Sequence, residues 1–474
     1  MGFTQNKWGR TVRLLFIVCA AFALLVTCAG VLCFEPGNTR AAGVSSQFYF
    51  AEGYTGPNFD EYLCIGNPNP EPATVNTTYY VGDYTGNRVD TRTYSVNAYN
   101  RLTVNVRNEV GYEKVVSIRL TSETPNLIAE RPMYFNYKGA WTGGHDAVGA
   151  VAQATRWYFA EGTTREGFEE WITVLNSNPS MATLTFHYMI EGKGESDFTE
   201  YVDADSRATF LVSDHIGTGK DASLMLESDW DVVAERPMYF NYHGLASHNW
   251  NGGHCVLGTL APTTTWCFAE GTTRSNFEEW LCIQNPNANP ITVNATYNFA
   301  QGQGSAVNKS YTVPAKQRLT VSVNQDVGPN KDVSCFLSSE SDFIAERPLY
   351  FNYKGVWDDG SNVFGAYSPG RKWAFAEGYT GQNFEEWLCL WNPYEETADV
   401  TITFYPESGT PLSASYSVPG ATRYTVNVNA LVPNRGISAI VNSSEQIVVE
   451  RPMYFNYNGV WNGGHDVMGQ LCPT

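Results

Sequence analysis

Trp157-Tyr158-Phe159-Ala160-Glu161-Gly162 decides the reading of this chain, because the same six positions return three more times. Ala-Glu-Gly stands at 51–53, 160–162, 269–271 and 376–378, spaced by 109, 109 and 107 residues. Seven residues beyond each glutamate lies a phenylalanine: Phe59, Phe168, Phe277 and Phe384. Next come Glu61-Tyr62, Glu170-Trp171, Glu279-Trp280 and Glu386-Trp387, and later Glu-Arg-Pro at 130–132, 235–237, 346–348 and 450–452. Phe-Asn-Tyr follows every time. Self-similarity at a fixed period marks a repeat protein. The landmarks divide the chain into a leader at 1–46 and copies at 47–154, 155–263, 264–370 and 371–474.

Each copy reads as all-β. In the third, runs near 264–269, 278–285, 290–300, 308–313, 317–324, 332–339 and 342–353 are rich in Val, Ile, Thr and aromatics, with Asn-Pro, Gly and Asn clusters between them. About seven short strands in about 100 residues predict an immunoglobulin-like β-sandwich. A propeller blade has four strands, so one copy is too long to be a blade. Aromatic residues two apart (Phe48 and Phe50, Trp157 and Phe159, Trp266 and Phe268, Trp373 and Phe375) define one buried strand face. In the next strand Leu63 and Ile65, with their counterparts, define another, and Cys64, Thr173, Cys282 and Cys389 fall on the opposite phase.

The composition excludes several classes. With 474 residues, 43% hydrophobic and 14% aromatic content, the chain is neither disordered nor a coiled coil. A net charge of −18 argues against a nucleic-acid partner, since phosphate binding needs clustered Lys and Arg. Lys7, Arg10 and Arg13 precede an uncharged apolar run from Leu14 to Phe34, the order of a secretory signal or an N-terminal anchor. Cleavage after Ala29 or Gly43, retention as a membrane anchor, and lipidation at the imperfect Leu25-Val26-Thr27-Cys28 box all remain open, and all place the remainder outside the cell membrane. Contact with the membrane is expected only through this segment.

No catalytic signature is present: there is no Gly-x-Ser-x-Gly elbow, His-Glu-x-x-His or phosphate-cradling glycine loop. The recurrent charges suggest two readings. Two carboxylates flanking a sugar bond would serve a glycosidase. Alternatively, Glu52 with Arg131, Glu161 with Arg236, Glu270 with Arg347, and Glu377 with Arg451 form ion pairs stapling the first strands of each copy to the last. Four equivalent folds need four equivalent staples, whereas four equivalent active sites would be unusual, so the second reading is preferred and no catalytic residue is assigned.

A second constellation follows Phe-Asn-Tyr: Trp141 with His145 and Asp146, Trp250 with His254, and Trp461 with His465 and Asp466, each around a Gly-Gly pair. Read as a turn, it either caps backbone groups between copies or cradles a sugar, the indole stacking on the ring. Copy three breaks it, with Ser361-Asn362 in place of His-Asp. His and Asp alone make a weak metal site, and no Cys pair has zinc-ribbon spacing, so neither metal nor cofactor is expected. Cys267 and Cys282 lie on the non-core phase of successive strands and form the one candidate disulfide, while Cys335 falls on a core phase as a buried free thiol.

The run at 157–162, with Phe168, Trp171, Asn178-Pro179, Ala-Glu-Arg-Pro-Met-Tyr at 234–239 and Gly-Gly-His at 252–254, resembles tandem modules of secreted and surface proteins of actinobacteria and related bacteria. The resemblance implies an immunoglobulin-like sandwich of unknown function on an extracellular protein, and it brings no catalytic residues. The sequence therefore predicts a non-enzymatic stalk or adhesive array. A glycan-binding surface protein is the alternative, and a secreted hydrolase fits less well. Cell-wall or extracellular glycan, or another surface protein, would be the partner.

Overall fold

The computed structural model describes residues 46–244 and 248–472, so the leader and its cleavage, anchor and lipidation sites lie outside the described residues. Gly43–Thr474 forms one compact unit. It is almost entirely β-structure, and among the described residues no helix is long and apolar enough to cross a membrane.

In copy one the strands are β1 (Ser46–Phe50), β2 (Phe59–Asn67), β3 (Ala73–Asp83), β4 (Gly86–Val96), β5 (Asn100–Asn105), β6 (Val115–Ser122), β7 (Ile128–Tyr137) and β8 (Trp141–Val148). A single-turn helix, α1 (Val106–Val110), follows β5, its first turn capped by the Asn105 side chain. Two four-stranded sheets form, in the orders β1-β6-β3-β4 and β5-β2-β7-β8. Phe48, Phe50, Leu63, Ile65, Val75, Tyr79, Ile118 and Leu120 fill the space between them. The period-2 alternation of β1 and β2 produces this core, since the residues between these positions face outward. In an antibody domain the first strand shares a sheet with the second. Here it shares a sheet with the third and sixth, and β7 takes the place beside β2.

The pattern returns in the other copies with one change. The counterparts of β6 and β7 run together as single strands, Ala222–His243, Val333–Tyr353 and Ile437–Tyr457, each crossing from one sheet into the other. The two runs expected at 332–339 and 342–353 are thus one strand. The Trp-Gly-Gly-His segment, expected as a turn, is also a strand in every copy: β8, Asn249–Leu257, Trp357–Phe364 and Trp461–Met468. The turn lies just before it, where Lys138 (φ 52°) and Gly139 (φ 73°) take the left-handed backbone.

The copies do not hang end to end as a stalk. Tyr49 on the outward face of β1, and Ala51 just beyond its end, pack against copy two beside Leu175. Tyr158 and Ala160 pack against copy three beside Cys282, and Cys267 and Ala269 against copy four beside Cys389 and Trp391. The series then closes, because Ala374 and Ala376 of copy four pack on Cys64 and Ile128 of copy one. The four inner strands (β8 and its counterparts) lie side by side in the same cyclic order around a pseudo-four-fold axis. The array is a ring with four seams, three of them crossed by the chain.

A closed ring predicts a compact particle. X-ray scattering of the Gly43–Thr474 unit should give a radius of gyration of about 22 Å, the scaling value for a single domain of that length. A markedly larger value, as for jointed sandwiches, would mean the ring is open in solution.

Candidate functional site

At each seam a glutamate and an arginine are fully buried together. Arg131 meets Glu235 at 2.8 Å, Arg236 meets Glu346 at 3.0 Å, Arg347 meets Glu450 at 2.9 Å, and Arg451 meets Glu130 at 3.0 Å. The arginine of one Glu-Arg-Pro is therefore held by the glutamate of the next, and the fourth pair joins the last copy to the first. The same glutamates accept main-chain N–H groups from the Ala-Glu-Gly segment of the preceding copy. Ala51 and Glu52 donate to Glu235 at 2.9 and 3.3 Å, and Ala376 and Glu377 both donate to Glu130 at 3.0 Å. Each carboxylate thus has a cation and two amide donors, which a buried charge requires.

The sequence-derived pairs divide accordingly. Glu161 meets Arg236 of its own copy at 2.6 Å, and Glu377 meets Arg451 at 3.2 Å. Glu52 instead bonds Arg207 of copy two at 3.0 Å and takes the Thr173 hydroxyl at 2.7 Å. Glu270 takes Arg423 and, at 2.6 Å, the Cys389 thiol, both from copy four. Arg131 and Arg347 are committed across their seams to Glu235 and Glu450.

Sequence reasoning missed a second arginine, at 101, 207, 318 and 423, which the recurring Arg-x-Thr spacing would have revealed. Arg318 donates to the Gly162 carbonyl at 2.5 Å, Arg423 to those of Gly271 and, at 3.0 Å, Val333, and Arg101 to those of Gly378 and, at 2.8 Å, Ile437. The polar residue tolerated at Cys64, Thr173, Cys282 and Cys389 faces this cluster. That placement also separates Cys267 from Cys282, and all described cysteines are free thiols. The expected disulfide is absent because the two side chains leave opposite sheets of one sandwich, Cys267 toward copy four and Cys282 toward copy two. Cys335 is a buried free thiol on the core face.

The second constellation belongs to the interior. Asp146 meets Arg451 at 2.6 Å and Asp466 meets Arg347 at 2.5 Å, so these aspartates extend the clamp. His145, His254 and His465 are buried, and burial pushes their imidazoles well below the usual range, His465 down to about 3. Trp141 and Trp461 lie half-buried on Tyr137 and Tyr457 of their own copies, with ring centres 5.8 and 5.7 Å apart, while Trp250 is buried on Tyr242 at 5.6 Å. No exposed coplanar tryptophan row results. Among the described residues no group of three or more His, Cys, Asp or Glu is placed to hold a metal.

Phe-Asn-Tyr supplies a second closed series. Tyr137 stacks on Tyr239, Tyr353 on Tyr454 and Tyr457 on Tyr134, with ring centres 3.9, 3.8 and 4.1 Å apart, and Tyr242 lies tilted by 37° on Tyr350 at 4.3 Å. The seam between copies four and one is loosely filled beside this stack. Copies two, three and four place Trp171, Trp280 and Trp387 there, whereas copy one places the smaller Tyr62, whose hydroxyl meets that of Tyr457 at 2.8 Å. Lys138 and Lys354 strap two other seams to Glu169 and Glu385, but their counterpart in copy four is Asn458. A cavity of about 540 Å³ opens there, lined by Tyr62, Tyr379, Phe384, Tyr457, Arg101 and Glu407 among others.

No protein-family model matches this chain, and no curated protein matches it significantly. Among solved structures, the Thermotoga maritima protein 1070 is similar over 22% of this chain and 96% of its own, at 20% identity and a TM-score of 0.21. The Anabaena sensory rhodopsin transducer is similar over 17% of this chain and 94% of its own, at 28% identity and a TM-score of 0.16. A tetra-tandem repeat from the extending region of a large adhesion protein aligns with 86% of this chain and 95% of its own, at 12% identity and a TM-score of 0.11.

Two predictions follow from the clamp. Arg236→Ala leaves Glu161 and Glu346 buried without a cation and should cost about 3–5 kcal/mol in denaturant unfolding. Arg451→Ala should cost as much, although no chain crosses its seam; a loss of about 1 kcal/mol or less, the worth of an exposed pair, would mean that the ring opens. The other recurrent glutamates, Glu61, Glu170, Glu279 and Glu386, sit against the Ala-Glu-Gly glycines, with Glu61 Oε1 only 2.7 Å from where a Gly53 Cβ would stand. Burial pushes the carboxyls of Glu61, Glu279 and Glu386 up to about 8, opposed by Arg131, Arg347 and Arg451, and pushes Glu170 well above its usual range. The folded state therefore keeps protons that the unfolded state releases near pH 4.5, so the contribution of these carboxyls to stability falls as pH rises from about 4.5 to about 8, against the opposite contribution of the buried histidines below about pH 6.5. Replacing Glu61, Glu279 and Glu386 by Gln should flatten that decline in pH-dependent thermal unfolding and raise stability at pH 8 relative to the parent.

Proposed function

We propose that this chain is a non-enzymatic extracellular or cell-surface repeat protein whose four copies, built as immunoglobulin-related sandwiches, act as one compact structural or adhesive body. The observation that carries this reading is the use of the recurrent charges. Glu52, Glu130, Glu161, Glu235, Glu270, Glu346, Glu377 and Glu450 are all bonded at the seams, and Arg131, Arg236, Arg347 and Arg451 with them. A hydrolase needs acid and base groups free to act on substrate in a cleft, whereas these are spent on arginines, amides and hydroxyls; Glu377, which lines the cavity between copies four and one, is held by Arg451. The leader supports secretion or anchoring, and a body held by buried pairs suits exposure outside the cell.

The cavity between copies four and one favours a second reading, glycan binding at that seam. Its tyrosines can stack on sugar faces while the exposed Glu407 carboxylate meets hydroxyls, chemistry common to carbohydrate sites. A screen of polysaccharide, glycoside and peptide substrates should give no turnover. Turnover abolished by Gln at Glu61, Glu170, Glu279 or Glu386 in a chain that still folds would overturn the structural reading. On a glycan array, hits that vanish with Tyr379→Ala would assign glycan binding to the seam, and an array without hits would remove it.

A further inference from the structure

The inner strands meet on the axis at the position where copy three departs from the others. Copies one, two and four carry Gly143, Gly252 and Gly463 there, and copy three carries Asp359. Asp359 is completely buried. Its carboxylate accepts one main-chain N–H from each copy: Gly144 at 3.1 Å and Gly464 at 3.0 Å on Oδ2, Gly253 at 2.9 Å and Gly360 at 2.8 Å on Oδ1. Each oxygen takes two donors, which leaves no acceptor for a carboxyl proton. Burial pushes this carboxyl up, and the four N–H bonds oppose the push.

Space on the axis admits one side chain. A Cβ on Gly143 or Gly463 would stand 2.7 Å from Asp359 Oδ2, and one on Gly252 would overlap Oδ1. Phenyl rings close the surroundings: the Cζ atoms of Phe455, Phe135, Phe240 and Phe351 stand 2.6–2.9 Å from where Cβ atoms would lie on Gly144, Gly253, Gly360 and Gly464. Converging main-chain amides in an apolar enclosure form an anion-binding concavity that needs no cationic side chain.

We propose that the axis is an anion-binding site built from four main-chain N–H groups, one per copy, and that the Asp359 side chain is its tethered occupant. With glycine at 359, all four copies match at this position and the site takes a free, planar, carboxylate-sized monoanion of the formate class. The three glycines keep the room, and the one aspartate fills it, so the departure of copy three completes the ring.

The test is thermal unfolding of the full chain carrying Asp359→Gly, with sodium formate titrated at fixed ionic strength. The variant should melt several degrees below the parent, and formate should restore most of that loss saturably. The parent should not move with formate, and benzoate, too large for the enclosure, should restore nothing. A formate response no larger than the parent's would overturn the proposal. Should Asp359→Gly fail to fold with or without formate, Asp359→Asn decides. It turns an acceptor oxygen into a donor facing amide N–H groups, so a lowered midpoint that formate does not restore supports the site, and the parent's midpoint overturns it.

Discussion

A buried guanidinium is tolerable only where carboxylates and carbonyls surround it, and in this protein every Glu-Arg-Pro guanidinium takes a carboxylate from a neighbouring copy. Each Glu-Arg-Pro segment contributes a cation to one seam and an anion to the other, so every copy needs a neighbour on both sides. Hydrophobic burial between copies could tolerate a slipped or open arrangement, since apolar contact is not directional. The paired charges cannot, because any displacement strands ions where no water reaches them. Closure follows from that requirement: a linear array would leave Glu130 without its cation at one end and Arg451 with Glu377 alone at the other.

Much of the interior was legible in the sequence. The alternation of Trp157 and Phe159, or Leu63 and Ile65, fixes a strand's inward face whatever the topology, because a period of two has only two phases. The relation between copies was not legible, for a physical reason. When Glu161 and Arg236 recur in every copy, pairing within a copy and pairing with the next are the same statement in sequence, and only coordinates distinguish them. Copies two and four in fact combine both kinds of bond, while Glu52 and Glu270 turn wholly to the neighbour. Trp141-Thr-Gly-Gly-His145 misled in a different way. Glycines that ordinarily signal a turn serve here as thin strand residues, needed because four backbones and an aspartate crowd one axis. Cys267 and Cys282 share a phase but not a side, since their strands belong to facing sheets whose outsides point apart.

Having four copies in one chain permits differences that four identical subunits could not have. Asp359 works because its three counterparts are glycines; four aspartates would collide. Tyr62 and Asn458 likewise relax a single seam, while tryptophans fill the other three and lysines strap two of them. The asymmetry is concentrated at the axis and at the seam the chain does not cross, the two places where one departure affects the whole ring without disturbing four cores.

That uncrossed seam also sets how the body answers a pull. The last strand, Gln470–Leu471, lies along Trp373 and Ala374 at the edge of copy four, and β1 lies in copy one on the other side of the gap. Force applied across that gap loads non-covalent contacts alone: the Arg451 clamp, the Arg101 bonds to the Gly378 and Ile437 carbonyls, the amides held by Glu130 and the Tyr457–Tyr134 stack. The ring behaves as a clasp with three hinges and one catch. Tension would release the catch first, and the circle would unroll into a strip about four sandwiches long.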